Sequence, residues 1–175
     1  MRKLLATIVT ALMFGVVTYS QTIAFLGIPI DGSLKSFNTQ LKNRGYEYSP
    51  PLDVYYGVFN GKDVLCKSMD NHGEVWRVYV RYDISQEERY IASEYNALIK
   101  MFQDSAKYHE SYTTSVTDAS ELYADIKIHG KIYESSFLTP DEKGCVWFGL
   151  FYERGYYYIG LFYDNLNNSP NGEDL

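Results

Sequence analysis

The sequence predicts an α+β fold: an antiparallel sheet made from two halves, each a helix followed by a three-strand meander, with the helices packed on one face. Three observations lead there. Short runs alternate between apolar and polar side chains and are separated by turn residues such as Asn60-Gly61, a pattern of hairpins rather than of parallel crossovers. Two other stretches carry apolar residues at helical spacing, each ahead of a set of strands. The two sets of strands also end alike, in VYVRYD and GLFYDN, with Asp83 and Asp164 81 residues apart.

Taken in order, Thr22 to Ile30 reads as a short strand. Ser33 follows as an N-cap, and Leu34, Phe37 and Leu41 make an apolar stripe that Arg44-Gly45 closes with a basic last turn and a glycine. The glycines of FLGIPIDGSLKSF raise the question of a phosphate loop, but such a loop needs Gly-Lys-Ser/Thr and here Gly32-Ser33 is followed by Leu34 with no such lysine, so the stretch reads as a helix start. After Pro50-Pro51 come strands at Asp53–Phe59, Val64–Met69 and in EVWRVYVRYD, where Trp76, Val78, Val80 and Tyr82 point one way and Arg77, Tyr79 and Arg81 the other. A long helix from about Gln86 to Lys107 carries the stripe Ile91, Tyr95, Leu98 and Phe102. Asp118 opens a capping box for a short helix through Leu122 and Ile126, although Ile126, Ile128 and Ile132 also fit a strand. Strands at Lys131–Leu138, Cys145–Tyr152 and Tyr156–Tyr163 complete the domain, and a polar tail, residues 164–175, follows.

The N-terminus reads as a signal peptide over residues 1–20: Arg2 and Lys3, the apolar run Leu4 to Val17, then Thr18 and Ser20 before a cleavage point at Gln21. The expectation is an exported chain, periplasmic or secreted, with no stable membrane insertion after cleavage. Residues 21–163 then make a single α+β domain with halves at 21–83 and 84–163. Losing Arg2 and Lys3 moves the formal charge from −6 to −8, and no Lys/Arg cluster offers itself to phosphates, so nucleic acid is not an expected partner. For Cys66 and Cys145, each within an expected strand, a disulfide in an oxidising compartment and two buried free thiols both fit.

FLGIPIDGSLKSFNTQLKNRGY and GYYYIGLFYDNLN resemble a group of uncharacterised exported proteins of the Bacteroidetes. That group reads G-I-P-x-D-G-[ST], then a helix ending in a basic residue, a glycine and an aromatic; Gly27-Ile28-Pro29, Asp31-Gly32-Ser33 and Arg44-Gly45-Tyr46 match it. More distantly, the helix-then-meander halves are similar to the SmpA/OmlA and beta-lactamase-inhibitor-protein architecture, whose members bind proteins. The resemblance implies a mode of binding, a protein partner on an aromatic sheet, and assigns no individual contact residue.

Catalytic patterns are sparse. His72, His109 and His129 have no metal-ligand spacing, no G-x-S-x-G elbow occurs, and the acidic residues fall mainly in turns and on a solvated helix face. The expectation is a non-enzyme with no cofactor and no metal. What stands out is aromatic content: 18 Tyr, 9 Phe and 2 Trp, concentrated toward the last two strands, where both faces are apolar. Trp147 and Phe151 with Tyr156, Tyr158 and Phe162 share one face, which is either a second core layer or an exposed surface. Exposed, these residues would bind another protein or stack on a glycan. Arg77, Tyr79 and Arg81 make a second, weaker binding patch.

Overall fold

The computed structural model describes residues 23–170; the expected signal peptide, residues 1–20, and the end of the tail, residues 171–175, lie outside the described residues. The α+β expectation holds. A two-stranded hairpin, β1 (Ala24–Phe25) and β2 (Ile28–Pro29), leads into α1 (Leu34–Asn43), then β3 (Glu47–Ser49), β4 (Val54–Phe59), β5 (Lys62–Asn71) and β6 (Glu74–Ser85). The second half repeats the plan with α2 (Glu88–Gln103), β7 (His109–Thr113), β8 (Tyr133–Leu138), β9 (Gly144–Glu153) and β10 (Tyr156–Asn165).

One antiparallel sheet holds eight of these strands in the order β3-β4-β5-β6-β10-β9-β8-β7. Each half therefore contributes four strands, not three. The last strands of the two halves, β6 and β10, meet at the centre, and from that seam each half runs outward through its strands in reverse chain order. The strands missing from the sequence reading are the two edges, β3 and β7, which are short and almost wholly exposed. Short polar edges suit a sheet that must not pair with other chains, but they carry no apolar alternation to recognise.

Both helices pack on one face. Phe37 and Leu41 of α1, and Ile91, Tyr95, Leu98 and Phe102 of α2, are buried against the inward rows of the sheet, among them Val80, Leu161, Phe148 and Phe137. Phe102 stacks on Phe137 with ring centres 5.3 Å apart, and Tyr95 meets Phe148 edge-on at 5.6 Å. The Tyr95 hydroxyl shares a buried hydrogen bond with Ser135 (3.1 Å), so the phenol costs the core little.

The N-terminal motif is a local scaffold. Residues read as one strand fold back on themselves at Leu26-Gly27, both at positive φ, in a two-residue hairpin turn. Ser33 caps α1 as expected, its hydroxyl accepting from the Ser36 amide at 3.2 Å. The region after Asp118 forms a 3₁₀ turn (Ala119–Glu121) and a π-type turn (Ala124–Ile128) rather than an α-helix, and Ile128 and Ile132 are exposed rather than core.

One further expectation is corrected, and of the two readings left open for the cysteines the free thiols hold. The tail does not begin at residue 164: Asp164 and Asn165 are buried residues of β10, and the Asn165 amide donates to the Ile30 carbonyl (2.7 Å). A Cys66–Cys145 disulfide is excluded by topology. Cys66 lies on β5 facing the helices, whereas Cys145 lies on β9 on the opposite face, three strand spacings away, and both thiols are free.

Candidate functional site: the open face of the sheet

No element among the described residues packs on the second face of the eight-stranded sheet. The cross-strand registers place Trp147, Phe162 and Tyr79 in one row over β9, β10 and β6. Arg77 lies opposite Asp164 in the row on one side, and Phe151 and Tyr158 lie opposite each other on the other. Between them Gly149 and Gly160 are directly paired and Gly160 faces Arg81. Aromatic rings lean into that gap: a β-carbon on Gly149 would sit 2.8 Å from Phe151 Cζ, and one on Gly160 3.1 Å from Phe151 Cε2 and 3.2 Å from Tyr79 Cε2.

The rings form two stacks. Trp147 and Phe162 are parallel to within 5° at 3.8 Å, and Tyr79 lies against the stack, 4.9 Å from Phe162 and tilted by 36°. Phe151 stacks on Tyr158 at 5.2 Å, and the Arg81 guanidinium covers Tyr158 at 4.1 Å. Cross-strand neighbours that stack face to face stand upright on the sheet, with their flat faces turned to one another and their edges outward.

The two arginines differ sharply. Arg77 donates through Nε and Nη2 to the two oxygens of Asp164 at 2.7 and 2.6 Å, and Trp147 Nε1 donates to the same carboxylate at 3.0 Å. Arg77 is thus neutralised by a nearly buried acid, which also holds the indole upright. Arg81 has no acidic partner among the described residues, and its Nε is buried with no acceptor. Burial pushes the Tyr79 phenol up to about 12, with Tyr158 nearby adding to the effect, so the face keeps a protonated hydroxyl at neutral pH.

All the residues singled out from sequence share this face: Trp147, Phe151, Tyr158 and Phe162 with Arg77, Tyr79 and Arg81, and Tyr156 at its hairpin rim, 45% exposed. The two patches expected separately form one surface because β6 and β10 are neighbours. Two shallow clefts flank Tyr158. One, about 380 Å³, lies between Arg81, Ile84, Glu153 and Tyr156. The other, about 460 Å³, lies beyond Phe151, against Lys131 and Ile132. Ile84, half exposed, went unrecognised because Asp83 takes a positive φ and the register slips there, turning Ile84 onto the open face.

Comparison with known proteins finds no matching family profile, no significantly similar curated sequence and no significantly similar solved structure. The site is therefore read from its own geometry. Among the described residues no group of three His, Cys, Asp or Glu side chains is placed to hold a metal. His72 occupies a turn, His109 lies 4.0 Å from Glu142, and His129 lies 3.7 Å from Asp125. Of the acids on this face, Asp164 is occupied by Arg77 and Trp147, and Glu134 accepts from the Tyr112 hydroxyl at 3.1 Å.

Proposed function

We propose that the chain is an exported, non-catalytic binding module that docks another protein, in the periplasm or outside the cell, on the open aromatic face of its sheet. The observation that carries this reading is Arg81: an arginine stacked on Tyr158 in the middle of an aromatic surface, with a buried Nε that finds no acceptor. A desolvated arginine beside tyrosine is the composition of an interface hot spot, and it calls for a partner that supplies a carboxylate or backbone carbonyl. The half-exposed rings around it exclude water once covered. Glycan binding uses the same residues but is less well served, since sugar rings stack on the flat faces of aromatics and here those faces are turned to one another.

The test is to immobilise the mature chain beside the variants Arg81→Gln and Tyr158→Ala, each checked for folding, and to expose all three to envelope and culture fractions. A protein that binds the parent chain in purified form and binds either variant at least ten-fold more weakly supports the reading. Purified partners that bind all three alike would move the site off this face. Retention of glycans in the absence of any protein would overturn the reading in favour of the carbohydrate one.

A further inference from the structure

A further cavity lies on the helix side of the sheet, beside the C-terminal end of α2. It measures about 340 Å³ and opens between the β1–β2 hairpin, the β4–β5 turn and the C-terminal end of α2. Its walls are largely apolar and aromatic, Leu26, Phe59, Met101, Phe102, Tyr108 and Tyr163, with Asn60 and Ser105 among them. Phe59 meets Tyr163 edge-on with centres 6.5 Å apart, and Phe102 lies 5.4 Å from Tyr108, so the lining is packed rather than loose.

Tyr163 is 5% exposed, yet its hydroxyl makes no hydrogen bond to any described residue and is not sealed off from the cavity. The hydroxyls of Tyr46, Tyr95, Tyr133 and Tyr157 bond Val58, Ser135, Asp125 and Glu88, whereas the Tyr163 hydroxyl shares its lack of a hydrogen-bond partner among the described residues with those of Tyr55 and Tyr82, and of these three it is Tyr163 that lines the cavity. A phenol this deep is a hydrogen-bond donor that needs an acceptor. Burial holds it protonated well above the usual tyrosine range, so it donates at any physiological pH.

The mouth carries unpaired positive charge. Lys107 lines the cavity and forms no ion pair among the described residues. The Arg44 guanidinium, also without an acidic partner among the described residues, reaches within 3.5 Å of where a β-carbon would stand on Gly27, another lining residue. Largely apolar walls, the Tyr163 and Tyr108 hydroxyls with no acceptor among the described residues, and a cationic rim together describe a ligand with an apolar body and an anionic head.

We propose that this cavity binds a small amphiphilic carboxylate of the medium-chain fatty-acid class, its chain against Leu26, Phe59, Met101 and Phe102 and its carboxylate served by the Tyr163 hydroxyl and Lys107. The site is separate from the sheet face and independent of what docks there.

The probe is sodium decanoate below its micellar range, with 1-decanol as the uncharged control. Binding is followed by calorimetry and by the methyl resonance of Met101 in the full chain. Saturable decanoate binding that shifts the Met101 methyl is expected, weakened about ten-fold in Tyr163→Phe, which removes one oxygen and keeps the ring, and about three-fold in Lys107→Met. No saturable Met101 shift in the parent chain overturns the proposal. So does equal affinity in Tyr163→Phe, and decanol binding as tightly as decanoate overturns the anionic head.

Discussion

At the residue scale, Asp164 ties the arginine of one half to the indole of the other. Its carboxylate is 6% accessible and holds both Arg77 and the Trp147 indole. Replacing it with Asn removes the charge that Arg77 has in place of water, and Arg77 is itself only 23% accessible. Asp164→Asn should therefore cost about 2 kcal/mol, measured by urea unfolding, with tryptophan emission shifted as Trp147 loses its anchor. A second residue-scale prediction concerns Gly57, where a β-carbon would fall 2.6 Å from three atoms of the buried Tyr46 ring. That ring is pinned by its hydroxyl donating to the Val58 carbonyl (3.0 Å), so Gly57→Ala should destabilise by about 1–3 kcal/mol in the same assay. Neither role was legible in the sequence. Asp164 opens a run of Asn and Asp that reads as tail, and its partner lies 87 residues away, beyond any local pattern.

Among the elements, the hairpins were the most legible because their chemistry is local. Four two-residue turns place both residues at positive φ: Leu26-Gly27, Asn60-Gly61, His72-Gly73 and Arg154-Gly155. Only Asn60 is a residue suited to the first position; His72 and Arg154 pay strain there. His72→Asn and Arg154→Asn should each stabilise the protein by about 0.5–1 kcal/mol, seen as a raised urea midpoint at unchanged m-value. Leu26-Gly27 escaped recognition because Ile23 to Phe25 and Ile28 to Ile30 read as one apolar run. The segment after β7 escaped for a different reason. It is anchored by Asn96 of α2, whose side chain both donates to the Val116 carbonyl (2.8 Å) and accepts from the Val116 amide (3.0 Å). Asn96→Ala should abolish hydrogen-exchange protection at Val116 while protection along β6 and β10 persists.

For the whole molecule, the seam between halves decides how the open face is composed, and the sequence hinted at it only through two similar endings. VYVRYD and GLFYDN turn out to lie side by side, with Val80 opposite Leu161. Tyrosine burial gives the molecule its pH response. Burial is the largest cause that raises the phenols of Tyr46 and Tyr79 to about 12, and it raises Tyr95, Tyr157 and Tyr163 further. A folded value above the unfolded one means that the contribution is fully present below the unfolded value of about 10 and is lost as pH rises from there through the folded value, about 12 for Tyr46 and Tyr79. Stability should hold from neutrality to about pH 9 and then fall, with tyrosinate absorbance from this buried set rising together with the loss of circular dichroism.

The place of β10 has a consequence for how the chain reaches its shape. Among the described residues, the strand made after all the others, β10, is the one that lies between β6 and β9 in the middle of the sheet. Until it arrives, the completed first half ends in a twelve-residue strand with one long side bare, a template on which another copy could add itself. Closure waits on a contact spanning about eighty residues, as between Val80 and Leu161, and such distant pairings place folding on the slow side for a domain of this length. The interval of greatest exposure to self-association is thus set by chain order: it opens when β6 is made and closes only when the C-terminal strand slides in beside it.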